Sequence, residues 1–199
     1  MNKTTRSSYI INKDELPEKF PTHKHNPAFF ECLGRAVATF GFLEETLAKA
    51  IFSFSTTRPY ELNEIDEAYK KWLPLLERTI SDPLGNLIKT YGKYVRDHPL
   101  ATITNLEELI NNLEKVSKLR NVICHGSWRV PDSNGASVPF FVNRQKEIFE
   151  TAVDCNFLNQ LQKATAELAC EVINTVTHMG WQFPGSKGPG IEIYKYSKK

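Results

Sequence analysis

Leu33, Ala36, Phe40, Leu43, Leu47, Ala50 and Phe54 follow one another in steps of three and four residues. A strand alternates its faces every second residue, whereas a helix returns to the same face every 3.6. The spacing therefore predicts one long helix, packed along its length in a bundle. Its start is marked by Asn26-Pro27, a capping residue followed by a proline with its φ already set. It is expected to reach about Ser55. Glu45 points away from the stripe and reads as a solvated charge, while Glu44 lies on the flank, close to the buried seam.

The same period recurs along the chain. Leu62, Ile65, Tyr69, Trp72 and Leu76 form a second stripe, which Pro74 is expected to kink or end early. Ser81-Asp82-Pro83 reads as a cap and restart, followed by Leu84, Leu87, Ile88, Tyr91 and Val95 up to Asp97-His98-Pro99. Thr104-Asn105-Leu106-Glu107 has the pattern of a capping box. The helix behind it carries Leu106, Leu109, Leu113, Val116, Arg120 and Ile123, with Gly126 as its C-cap. In "SWRVPDSNGASVPFFVN" short apolar runs flank a turn-rich centre, which predicts a β-hairpin. A last helix over about 154–179 has the stripe Leu158, Leu161, Leu168, Val172 and Val176. The expected architecture is all-α: an antiparallel helical bundle with a small β-hairpin before its last helix. A polar arm broken by Pro17 and Pro21 (1–25) precedes the helical domain (26–180). A basic tail (181–199) follows it, and its "IEIYKY" reads as a further strand or as loose chain.

At 199 residues the chain suits one domain with a real core. A net charge of +2 neither demands nor excludes a nucleic-acid partner. The cysteines, Cys32, Cys124, Cys155 and Cys170, include no C-x-x-C pair and lie in apolar segments, so they read as reduced core thiols. No run approaches the roughly 20 apolar residues of a membrane span, and the N-terminus lacks the apolar stretch of a signal peptide. The expectation is a cytoplasmic protein without a membrane partner. His23 and His25 in "THKH" lack further nearby ligands and read as a solvated linker rather than a metal pair.

The bundle pattern is broken at one place. Arg120 occupies the heptad slot that Leu106 and Leu113 hold earlier in the fourth helix. An arginine there is costly unless it is paired, with Glu44 as the candidate, or snorkels out to water. It is accompanied by Asn121 and His125, which are four apart and share a helix face. Arg120 stands about 140° from His125 on an ideal helix, but its long side chain and a fraying last turn can bring the two together. A permanent cation, an amide and a titratable imidazole are a natural set for a phosphodiester: the first neutralises charge on phosphate oxygens and the last moves a proton. Cys124 beside His125 is a poor thiol nucleophile, since adjacent helical residues diverge by about 100°.

"RNVICH" matches R-N-x-x-x-H, and the chain here resembles the HEPN superfamily with its R-x4-6-H signature. The following "GSW" and the first-helix segment "FGFLEETLAKAI" are similar to bacterial HEPN-like proteins, and the resemblance spans about 26–180. It implies a small α-bundle acting as a homodimer, with two motifs facing across one composite cleft. It implies a metal- and cofactor-independent endoribonuclease, of stress response or phage defence, in which the 2′-hydroxyl of RNA attacks the adjacent phosphate. Arg120 would stabilise the phosphorane-like state, His125 would transfer the proton or position the phosphate, and Asn121 would orient either. Trp128 is a candidate to stack a base or to pack on the bundle. Lys118 and Arg129 are candidates for backbone phosphates or ordinary surface charges. HEPN toxins controlled by nucleotidyltransferase antitoxins often carry tyrosine two residues after the histidine; Ser127 stands there, so a regulatory partner would act differently. The alternative is a non-catalytic module of the same fold, binding a nucleotide, RNA or a protein.

Overall fold

A computed structural model describes residues 7–188. It contains five α-helices: α1 Pro27–Thr56, α2 Ile65–Thr79, α3 Leu84–Arg96, α4 Leu106–His125 and α5 Cys155–Thr177. The fold is all-α. The long α1 packs along α5 and α3, α4 closes against α3, α5 and α1, and α2 rests chiefly on α1. The expected stripes are the core: Ala36, Phe40, Leu43, Leu47, Ala50 and Phe54 of α1 meet Leu158, Leu161, Leu168, Val172 and Val176 of α5, all buried. Each leucine, valine or phenylalanine among them contributes about 1.5–3 kcal/mol when fully buried. Deep between the helices Tyr91 and Thr175 share a hydrogen bond of 2.9 Å, and burial pushes the Tyr91 phenol far above its usual range.

Helix ends follow the sequence unevenly. Asn26 caps α1 by accepting from Ala28 N, and Asp154 caps α5 by accepting from Phe157 N. The two other expected caps do not form. Asp82 is drawn to Arg78 at 3.2 Å, which leaves Pro83 as the N-cap of α3 without a side-chain bond. Glu107 bonds Arg96 at 2.7 and 2.9 Å instead of closing a capping box on α4. A charge partner outcompeted the cap at both sites, four residues back for Asp82 and on the preceding helix for Glu107. Pro74 does not end α2 either: the helix runs to Thr79 with the proline inside it. Pro74 and Lys70, whose carbonyl loses its usual donor, both face water, which can satisfy that carbonyl.

The expected hairpin is absent as a regular ladder. Residues 127–153 make three isolated antiparallel bridges, Ser127 with Phe140, Ser137 with Val153 and Val142 with Ile148. Its turn chemistry is real, since Asp132 Oδ1 accepts from Asn134 N and Ala136 N and Gly135 takes φ +81°. The two flanking runs bridge each other at Ser127–Phe140, but Ser137 and Val142 turn to Val153 and Ile148, so no strand develops.

Packing extends beyond the helices at both ends. His25 is buried against Phe29 and Phe30, with ring centroids 5.1 and 5.3 Å away and no hydrogen-bond partner on either nitrogen. It is a wedge in an aromatic pocket and not part of a solvated linker. None of the free cysteines is fully buried: Cys124 and Cys170 are exposed, Cys32 and Cys155 partly so. These thiols border the core and do not fill it. After α5, Trp181 lies against Phe54 and His98, at 5.6 and 5.1 Å between ring centroids, and Phe183 is buried. The "IEIYKY" segment lies outside the described residues. No helix among the described residues is long and apolar enough to cross a membrane.

His98 makes stability pH-dependent. Its Nδ1 accepts from Leu100 N at 3.2 Å and its Nε2 lies 3.4 Å from Thr57 Oγ1. Burial, and then the nearby Arg58 cation, hold its pKa below the usual 6.5, against the opposing bond at Thr57. The unfolded chain thus takes up the proton first as pH falls, so the stability from neutral His98 is complete above about pH 6.5 and is lost below it. Urea midpoints are expected to drop between pH 7.5 and 5.5, and to drop less in His98→Gln. An equal drop in both proteins would assign the effect elsewhere.

Candidate active site

The last turns of α4 place Lys118, Arg120, Asn121 and His125 on the wall of one open cleft of about 2040 Å³. The remaining walls come from the Gly41–Phe52 face of α1, the α2–α3 junction, the 141–149 segment and Pro184. Four of these parts are far apart in sequence, so only the folded chain assembles the cleft.

Arg120 is the hub. Its Nη1 lies 3.4 Å from His125 Nε2, and its Nη2 lies 3.4 Å from Glu44 Oε1. The helical divergence of Arg120 and His125 is thus bridged by the reach of the arginine, as its length allows. An arginine can only donate, so this contact is a hydrogen bond when His125 Nε2 is unprotonated and its ring hydrogen sits on Nδ1. The ring then presents an acceptor nitrogen beside a fixed cation. Both members of the Arg120–Glu44 pair keep less than a third of their side-chain surface exposed. The pairing is electrostatic without hydrogen-bond alignment, since Glu44 Oε1 is buried and accepts no hydrogen bond. Glu44 therefore answers the cost of placing an arginine on a buried seam, and does so loosely enough to leave the guanidinium donors open. The neighbouring Cys124 thiol feels this pair: partial burial pushes its pKa up, with Arg120 lowering and Glu44 raising it. Asn121 is exposed on the same wall and makes no side-chain hydrogen bond among the described residues.

Gly126 ends α4 and fixes where His125 sits. Its N–H bonds Val122 O at 2.8 Å, with φ −70°. No left-handed cap is involved; glycine is required by close approach, because a Cβ here would stand 2.6 Å from Val122 O and 2.7 Å from Pro139 Cβ.

The residues singled out for RNA contact divide. Lys118 lines the cleft. Trp128 does not: it packs edge-on against Phe29, with centroids 5.0 Å apart, and is half-buried in the bundle. Arg129 lies with its guanidinium 4.9 Å over the Phe140 ring, also outside the cleft wall. Two contributors were missed by sequence reasoning. Arg144 and Gln145 reach the cleft from a turn in which Asn143 Oδ1 accepts from Gln145 N and Glu147 N, at 3.0 and 2.9 Å. An asparagine opening "NRQKE" is the signal that marks such a turn. Among the described residues no group of three or more histidine, cysteine, aspartate or glutamate side chains is placed to hold a metal ion. No family model, curated protein or solved structure matches this chain.

Proposed function

We propose that the protein is a metal-independent endoribonuclease of the HEPN type, acting in the cytoplasm on single-stranded or looped RNA. The observation that carries this reading is the contact of Arg120 with His125, 3.4 Å apart on the wall of an open cleft. In the reaction the ribose 2′-hydroxyl takes the place of Arg120 at His125 Nε2, the imidazole accepts its proton, and the 2′-oxygen attacks the adjacent phosphorus. Arg120 neutralises the charge that builds on the phosphate oxygens. The bond to the 5′-oxygen breaks, and that oxygen takes a proton from the motif of a second copy facing the first across a two-fold axis. The products are a 2′,3′-cyclic phosphate and a 5′-hydroxyl. The sequence resemblance supports this assignment and extends it to a role in stress response or phage defence under a regulatory protein.

One observation favours a second reading. Glu44 already stands 3.4 Å from Arg120, and an arginine held by an internal carboxylate suits a non-catalytic module that binds a nucleotide, RNA or a protein. The two readings part in one experiment. The protein and its Arg120→Ala and His125→Ala variants are incubated with a mixed RNA pool in EDTA. Cleavage by the parent alone, leaving cyclic-phosphate ends, is the expected result. No cleavage, with all three proteins folded, selects the binding module.

A further inference from the structure

The charges on the cleft wall are unevenly committed. Its acids all have partners: Glu44 faces Arg120, Glu45 bonds Lys49 at 2.6 Å, Asp82 pairs with Arg78 at 3.2 Å and Glu147 accepts from Asn143 Nδ2 at 2.6 Å. Two lining cations, Lys118 and Arg144, have no acidic partner among the described residues. Glu147 keeps its charge, since its partner is a neutral amide, so the unpaired charge of the cleft is Lys118 and Arg144 against Glu147, positive on balance, with its cations on two separate segments. Lys118 stands beside the motif on α4. Arg144 stands on the 143–147 turn, which is rooted next to the motif by the pairing of Ser127 with Phe140, both N–H···O bonds being 3.0 Å or shorter.

The turn is built to hold its shape. Asn143 N donates to Glu147 O and Lys146 N to Asn143 O, each at 3.0 Å, in addition to the two bonds received by Asn143 Oδ1. Arg144 takes part in none of them, so its side chain is carried on a fixed backbone and is free for a ligand. Phe141 and Phe149, which flank the turn, are half-buried on the same wall, and Phe149 also packs against the core. Small-molecule sites occupy about 300–1,000 Å³. A cleft of about 2040 Å³ with a second, separately mounted cation has room for much more than one nucleotide.

Resting on the reading of Arg120 and His125 as a phosphodiester site, the geometry points to Arg144 as a strand-positioning residue that holds a second phosphate of the same polynucleotide. The site then takes an extended single strand of several nucleotides, with Arg120 at the reacting phosphate and Arg144 and Lys118 on its neighbours. Arg144 acts on binding and register and does not touch the reacting atoms.

The test is a binding titration that needs no cleavage. A deoxyuridine hexanucleotide, which lacks the attacking 2′-hydroxyl, and uridine 3′-monophosphate are titrated into the protein at several salt concentrations. The parent is expected to bind the hexanucleotide more tightly. Arg144→Ala is expected to shrink that preference and to flatten the dependence of log K on log salt by about 0.7, the value for one lost single-strand phosphate contact. Lys163→Ala, which removes a cation on the outer face of α5, is the control for overall charge. Equal affinity of the parent for both ligands overturns the proposal. So does an Arg144→Ala variant with the parent's preference and slope, and if Arg120→Ala still weakens binding there, the underlying site survives. Binding of neither ligand overturns the proposal, and the EDTA cleavage assay then judges the ribonuclease reading on its own. Binding of hexaglutamate as tightly as the hexanucleotide, with the same dependence on Arg144, overturns it in favour of an acidic peptide.

Discussion

The His125→Ala variant is expected to cleave RNA about 10²- to 10⁴-fold more slowly than the parent, the range for loss of a positioned proton-transfer group. Its unfolding midpoint is expected to stay at the parent value, because His125 is exposed and its side-chain hydrogen bonding among the described residues is with Arg120. Arg120→Ala behaves differently. It removes the cation that faces Glu44, whose Oε1 is already buried without a hydrogen bond, so both cleavage and stability are expected to fall. Adding Glu44→Gln to Arg120→Ala is expected to recover part of the stability and none of the cleavage. Single-turnover assays alongside urea denaturation separate these outcomes. If the double variant regains activity, Arg120 serves only the packing of α4 against α1.

A second large effect is expected at a residue with no chemistry. Gly126→Val places carbon atoms inside the contact distances of Val122 O and Pro139, which hold the helix end on one side and the bridged segment on the other. Neither is the tip of a flexible side chain, so the end of α4 has to shift. The cost is expected to be about 1–3 kcal/mol, as for other overpacked sites. Gly126→Ala introduces the same first clash and is expected to fall in the same range. Since Gly126 follows His125 directly, cleavage is expected to decline even in the folded fraction, through misplacement of the imidazole. A parent-like midpoint for Gly126→Val would mean that the segment after α4 yields without strain.

The helices were legible because burial on one face imposes a period that no other structure shares. The stripes of α1, α4 and α5 point at their buried partners nearly residue for residue. The stripe of α2 misled in part. Ile65 and Tyr69 have the right spacing but stay half open, at 47% and 58% exposure, since spacing reports which residues share a face and not whether a neighbour covers it. Caps failed where a distant charge offered a better partner, as Arg96 did for Glu107. Composition marked the turn at Asp132–Gly135, yet strand pairing is a property of two segments and was not written in either one. The Arg120–Glu44 pairing could be anticipated from the cost of an arginine on an apolar seam. The full cleft could not, because Arg144, Asp82 and Lys49 meet the motif only through the fold.

The weak seating of α2 has a consequence for how the cleft opens. Its fully buried residue is Thr79, and Trp72 ties the helix down by donating to Ser55 Oγ at 2.9 Å and packing near Phe52. A helix held by so few contacts opens locally at lower free energy than the core helices. Its amides should exchange with deuterium ahead of those in α1 and α5. Leu76, Thr79 and Ile80 form one bank of the cleft, so local opening of α2 is expected to alter the cleft on that side. The indole of Trp72, seated on α1, is then the contact whose loss should let that bank move first.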